Sequence, residues 1–191
     1  MPKDQEIEAL YREIEAKQKQ LVEMLKLDPP QKVVDYVFEA GEGEVKLSAL
    51  FGERDDLIVV HNMGSSCAYC TLWADGFNGV VPHLEDRAAF VVVSPEPPEK
   101  QARFAASRGW RFRMVSDAEK RFTADMGFSG EHEGKSMPLP GFSTFRRQDD
   151  GGIVRIGRSF FGPGDPYSGI WHLFAMLDGG AGDWQPRLAY P

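Results

Sequence analysis

Leu57-Ile58-Val59-Val60-His61-Asn62-Met63-Gly64-Ser65-Ser66-Cys67-Ala68-Tyr69-Cys70-Thr71-Leu72-Trp73 reads as an apolar strand, a Gly-Ser turn, and an apolar helix opening on two cysteines. Those cysteines are the only two in the chain. On the first turn of a helix, residues three apart share a face, so their sulfurs can close a small disulfide ring. The same turn carries backbone N–H groups without intrahelical partners and the positive end of the helix dipole. A thiolate placed there is stabilised, its pKa falls, and it becomes a nucleophile near neutral pH. The stretch therefore predicts a redox-active dithiol.

Working outward, the strand at 57–61 is nearly all apolar, as expected of a central strand covered on both faces. Upstream, residues 5–26 place Ile7, Leu10, Tyr11, Ile14, Leu21, Met24 and Leu25 at helical spacing, supported by i,i+4 pairs such as Glu8–Arg12 and Glu15–Lys19. This predicts a long amphipathic helix ending near Asp28, stopped by Pro29 and Pro30. It would pack on its own domain or on a second subunit. Residues 33–38 read as a strand, 39–44 as a turn and 45–47 as a short return strand.

Downstream, the cysteine helix runs toward Asn78, where Gly76 and Gly79 interrupt it and Pro82 marks a kink. Residues 89–94 form a second buried strand. Residues 99–108 form a helix closed by Gly109, and 112–115 a short strand. Ser116-Asp117 caps a helix over 118–126. Residues 129–141 read as loop, and 142–147 and 153–160 as a hairpin around Asp149-Asp150-Gly151-Gly152. Residues 170–177 read as a closing helix. The order predicts an α/β fold with a mixed sheet and helices on both faces. The organisation is a helix over 1–28, a domain over 31–178 and a tail over 179–191. In such sheets the working residues lie past the C-terminal ends of strands, which is where Cys67 falls.

A formal charge of -7 and a pI near 5.2 argue against a nucleic-acid partner. The local cluster Arg103, Arg108, Arg111 and Arg113 reads as a solvated helix end. The polar N-terminal stretch is not a signal peptide. The longest apolar runs, 57–60 and 88–93, are too short to span a bilayer. A cytoplasmic location is the expectation. There a structural disulfide would not persist, so the pair is redox-active or metal-binding. A zinc site needs about four ligands; His61 and His83 are the only further candidates, so no metal is expected.

Each auxiliary residue has two readings. His61 either deprotonates a thiol or satisfies backbone at the strand end. Ser66 precedes the nucleophile. Trp73, on the cysteine face of the helix, either shields a disulfide or packs in the core. Asp75 either tunes the dithiol as a buried acid or caps the chain. His83 and His172 read as structural, His132 as solvent-facing.

The strand feeding Cys67-Ala68-Tyr69-Cys70 resembles the thioredoxin motif. Val91-Val92-Val93-Ser94, Phe112-Arg113-Met114-Val115-Ser116-Asp117 and Ser143-Thr144-Phe145 through Asp150-Gly151 resemble the peroxiredoxin branch of that superfamily. His61-Asn62-Met63, Trp73-Ala74-Asp75-Gly76-Phe77-Asn78-Gly79, Pro82-His83-Leu84 and Gly109-Trp110-Arg111-Phe112 resemble an uncharacterised bacterial thioredoxin-like family catalogued as a domain of unknown function. The resemblance covers most of 5–178 and implies a thioredoxin-like fold.

The sequence departs from these patterns in four places. Thioredoxins carry Trp-Cys-Gly-Pro-Cys, whereas here Ser66 precedes the first cysteine and Ala68-Tyr69 intervene. The peroxidase signature has Pro seven and Thr three residues before the reactive cysteine. Those positions hold Val60 and Gly64 for Cys67, and Met63 and Cys67 for Cys70. The arginine of the hairpin strand is replaced by Phe142. The thioredoxin cis-proline position corresponds to Gly141 or Phe142, with Pro140 adjacent.

The expectation is a thiol-disulfide oxidoreductase with Cys67 as nucleophile and Cys70 as resolving thiol. It needs no organic cofactor, acts on protein or small-molecule thiols and disulfides, and associates with a second copy, if at all, through the N-terminal helix. The alternatives are a thiol peroxidase with a non-standard pocket and a non-catalytic thioredoxin-like binding module.

Overall fold

The computed structural model describes residues 3–132 and 134–191; the side chain of His132 also lies outside the described part. Helix α1 (Lys3–Leu25) runs straight into strand β1 (Lys26–Val33). The helix therefore ends before Pro29-Pro30, and the prolines sit inside a strand. β1 is an edge strand, and its register against its neighbour shifts between Lys26 and Gln31, so the two prolines fall where no ladder N–H is required.

Next come β2 (Val37–Ala40), β3 (Gly43–Lys46), a 3-10 turn over Leu47–Phe51, and β4 (Asp56–His61). Helix α2 (Ala68–Arg87) follows, then β5 (Ala89–Ser94), α3 (Pro98–Arg108), β6 (Arg113–Ser116) and α4 (Arg121–Asp125). The chain closes with β7 (Ser129–His132), β8 (Lys135–Pro138), β9 (Gly141–Arg147), β10 (Ile153–Phe160) and α5 (Ile170–Phe174).

α2 does not break at Gly76, Gly79 or Pro82. Two glycines cost about 1 kcal/mol each and an interior proline about 3. Trp73, Ala74 and Val81 are buried along one side of α2, with Phe77 and Leu84 packed beside them, and that burial outweighs the local cost. Gly109 caps α3 at φ +67, a left-handed position that favours glycine. The stretch expected as loop after Gly127 contains β7 and β8, a separate two-stranded ribbon.

The main sheet has eight strands in the order β1-β10-β9-β4-β5-β6-β2-β3. β4, β5 and β6 are parallel, and the remaining pairings are antiparallel. Alternation along β4 sends Leu57 and Val59 into one core with Phe38, Phe51, Phe122 and Phe128, and Val60 into a second with Trp73, Phe90 and Phe112. α2 lies over the second core and α4 over the first. The mixed sheet with helices on both faces and the long N-terminal helix are as the sequence implied. The segment after α5 is packed rather than loose: Trp184 meets Trp171 and Phe174 at 5.6 and 4.9 Å between ring centroids, and Pro186 is buried. Among the described residues no helix is long and apolar enough to cross a membrane.

Candidate active site: a dithiol at the start of α2

β4 ends at His61, and the turn that follows is built by local hydrogen bonds. Asn62 Oδ1 accepts from Gly64 N–H at 2.7 Å, and Gly64 O accepts from Cys67 N–H at 3.1 Å. Gly64 has φ +110, which strains any other residue. Cys67 is thereby placed in extended conformation as the N-cap of α2, where its sulfur accepts from Cys70 N–H at 3.1 Å. A cysteine fills the role usually taken by Ser, Thr, Asn or Asp.

Both cysteines are free thiols; Cys67 is half-buried and Cys70 is 3% exposed. The hydrogen bond from the Cys70 thiol lowers the Cys67 pKa. Burial opposes it, and the Cys70 and Tyr69 N–H groups add to the lowering; the result is a value of about 7. Cys70 moves the other way. Its thiol is held protonated by donating to Cys67, by burial and by the Cys67 charge. The two thiols are thus shifted in opposite directions, Cys67 toward the thiolate and Cys70 toward the protonated thiol.

The remaining sequence-predicted residues separate. Ser66 is exposed beside Cys67. Trp73 is 3% exposed and stacks on Phe161 at 5.1 Å between centroids, so it belongs to the core. Asp75, half-buried, accepts from Trp110 Nε1 at 2.8 Å and Arg108 Nε at 3.2 Å, and pairs with Arg108 Nη2. It ties α2 to the end of α3. His61 is on the face of the sheet away from α2. Its ring stacks on Phe128 at 3.9 Å, and its Nε2 meets Ser143 Oγ at 3.0 Å. Burial, with the nearby Arg155 charge, pushes its pKa well below the usual range and keeps the ring neutral. His83 and His172 are exposed on α2 and α5, not packed. Among the described residues no group of three or more His, Cys, Asp and Glu could hold a metal.

Glu96, in the loop after β5, was not singled out by sequence. Its carboxylate accepts from Ser65 N–H at 3.0 Å and Ser65 Oγ at 2.8 Å, and pairs with Lys100 at 2.7 Å. Burial would raise its pKa, but the Lys100 and Ser65 contacts outweigh that and lower it. The signal was available: β5 is the parallel neighbour of β4, so the loops past both C-terminal ends must meet. Of the two residues that sequence offered for the thioredoxin cis-proline position, Gly141 leaves no room for a side chain: a Cβ there would collide with the Phe128 ring and the Ser159 carbonyl. Beside it, Phe142 packs on Phe161 and Tyr167. A cavity of about 320 Å³ opens next to the first turns of α2, walled by Ala68 and Leu72 and by Trp184, Pro186 and Tyr190.

A family profile described as "Bacterial protein of unknown function (DUF899)" matches residues 3–184. The chain belongs to that family. The chain is also similar to proteins of the thioredoxin/peroxiredoxin superfamily. A curated Mycobacterium tuberculosis (strain H37Rv) protein, named provisionally as peroxiredoxin Rv2521, is 30% identical over 133 residues, covering 68% of this chain and 83% of its own. The crystal structure of peroxidoxin BcpB from M. tuberculosis aligns with a TM-score of 0.53 at 26% identity, over 66% of this chain and 82% of that one. Reduced Prx3 from Vibrio vulnificus shares the fold at 12% identity, with a TM-score of 0.57 over 73% and 90% of the two chains.

Proposed function

We propose that this DUF899 protein is a thiol-disulfide oxidoreductase that cycles Cys67 and Cys70 between dithiol and disulfide. The observation that carries the reading is the placement of two free thiols on the first turn of α2, Cys67 as the half-buried N-cap whose sulfur accepts from Cys70 N–H at 3.1 Å and Cys70 buried behind it; the opposite shifts of their pKa values, Cys67 down and Cys70 up, agree with it. With its pKa lowered, Cys67 is thiolate in a substantial share of molecules at neutral pH. Its sulfur attacks one sulfur of a substrate disulfide, the S–S bond breaks, and the departing thiolate takes a proton from water. Cys67 is then held in a mixed disulfide and carries no charge.

That step also releases Cys70. The hydrogen bond to the Cys67 thiolate and the Cys67 charge both hold the Cys70 proton in place, and both vanish once the Cys67 sulfur is bonded. Cys70 loses its proton and attacks the Cys67 sulfur. The second substrate thiolate leaves, and the Cys67–Cys70 disulfide remains. Two electrons have passed from the dithiol to the substrate, now two thiols. An external thiol or dithiol returns the pair to the reduced state.

The names of the relatives favour a second reading on the same two residues. As a thiol peroxidase, the Cys67 thiolate would attack the terminal oxygen of a hydroperoxide and break the O–O bond. The alkoxide leaves as the alcohol on protonation, and Cys67 becomes a sulfenic acid. The Cys70 thiol then condenses with it and expels water.

Insulin or glutathione-disulfide reduction, set against hydroperoxide consumption, separates the two. In either assay Cys67→Ser is expected to abolish turnover, and Cys70→Ser to accumulate the Cys67 adduct: a mixed disulfide or a sulfenic acid. Parental activity in both variants would overturn the dithiol reading, and no turnover by the parent in either assay would leave a non-catalytic thioredoxin-like module.

A further inference from the structure

The redox site leaves α1 unexplained. None of its side chains is buried, and its main contacts are with β1 and β10. A 23-residue helix is about 34 Å long, and in proteins most of such a helix's stability comes from packing of its apolar side. Yet Ile7, Leu10, Ile14, Leu21 and Met24 are between 41% and 75% exposed. With Lys17 between Ile14 and Leu21, their spacing alternates three and four, the a and d positions of successive heptads. Lys17 is the single polar residue of that seam between Ile7 and Met24. Leu10, Glu13, Ile14, Lys17, Gln18 and Leu21 line a shallow trough of about 320 Å³ along the helix.

We propose that a second copy of this chain fills that trough, the two α1 helices packing antiparallel as a two-stranded coiled coil. The sequence of the seam is self-complementary in that orientation only. A parallel pair sets each Lys17 against Lys17 of the second copy, two ammonium groups in an apolar seam. In an antiparallel pair each a position faces a d position. Ile7 then meets Met24 of the second copy, Leu10 meets Leu21, and Ile14 meets the stem of Lys17. Glu13, next to Ile14, falls within reach of the same Lys17 ammonium. The twofold axis repeats each contact, so two Glu13–Lys17 pairs flank the centre. In the single chain Lys17 donates to Gln20 on its own helix at 3.3 Å. The assembly is independent of the dithiol chemistry.

The test uses the full chain with Cys67→Ser and Cys70→Ser, so that new cysteines report alone. Sedimentation velocity across the micromolar range is expected to show a dimer. Leu10→Glu removes two seam leucines from each dimer; at about tenfold for each, its dissociation constant rises about 100-fold. Val22→Glu, on the outer face of the same helix, leaves the constant unchanged and controls for helix folding. Under mild oxidation, Leu10→Cys and Leu21→Cys chains mixed together form a disulfide-linked heterodimer, while Leu10→Cys alone stays uncrosslinked. A monomer at every concentration overturns the proposal. So does self-crosslinking of Leu10→Cys, which marks a parallel pair, or a loss with Val22→Glu as large as with Leu10→Glu.

Discussion

Replacing Cys70 by Ala tests the origin of the Cys67 thiolate most directly. The thiol of Cys70 is the largest contributor to the depressed Cys67 pKa, ahead of the opposing burial and the backbone N–H groups. Alanine deletes that donor, and the pKa is expected to rise from about 7 toward the ordinary value of about 8.5. At pH 6 the thiolate fraction then drops about 30-fold. A more basic thiolate is intrinsically about fivefold more nucleophilic for a shift of this size. The two effects combine to a variant about sixfold slower at pH 6 and about fivefold faster at pH 10, crossing the parent near pH 8. Iodoacetamide alkylation of the reduced protein, followed by mass spectrometry from pH 5 to 10, reads this profile. Cys70→Ser keeps a hydroxyl donor in the same place and is expected to stay close to the parent. A Cys70→Ala profile that keeps its midpoint near 7 would refute the reasoning and move the stabilisation to the helix terminus alone.

Two further outcomes follow from the residues around the dithiol. Asp75→Asn breaks the Arg108 pair and weakens the Trp110 bond, so it is expected to destabilise the fold by about 1–2 kcal/mol in urea titration; because Asp75 ties α2 to α3, the Cys67 alkylation profile stays unchanged, and a shifted midpoint would restore Asp75 as a tuning acid. Glu96→Gln loses the charge that holds Ser65 and Lys100. The folded pKa of Glu96 lies below its unfolded value, so its stabilisation is present above about pH 4.3 and is lost as pH falls through the depressed value. Parent and variant are therefore expected to differ in urea midpoint at pH 7 and to converge near pH 3; a constant difference across that range would show that the carboxylate charge is not what holds the turn.

The sheet, the helices of its two faces and the position of Cys67 were readable because they rest on local regularities. An apolar run of strand length, a Gly-Ser turn and two cysteines three apart each declare themselves within about fifteen residues. The errors came where tertiary packing overrode local preference. Gly76, Gly79 and Pro82 signalled a break that burial of Trp73 and Val81 prevented. Pro29 and Pro30 signalled the end of regular structure, yet an edge strand with a shifted register accommodates both. The β7–β8 ribbon carries too little apolar alternation to stand out from a Gly- and Pro-rich loop.

The roles of the auxiliary residues could not be read in the same way, because each depends on which neighbour a distant segment supplies. Sequence placed His61 one turn upstream of the thiols. The pleat of β4 turned its ring to the opposite face, against Phe128 and Ser143. Asp75 lies five residues past Cys70 on the same helix, but Arg108 and Trp110 claim its carboxylate. Glu96 looked like one charge in a proline loop until the parallel pairing of β4 and β5 brought it onto Ser65. Periodicity and turn chemistry are written into neighbouring residues, so the chain alone determined its scaffold and the place of its two cysteines on it. Solvent access, hydrogen-bond partners and charge environment arise between segments far apart in sequence, so only the folded molecule decided which groups act on the thiols.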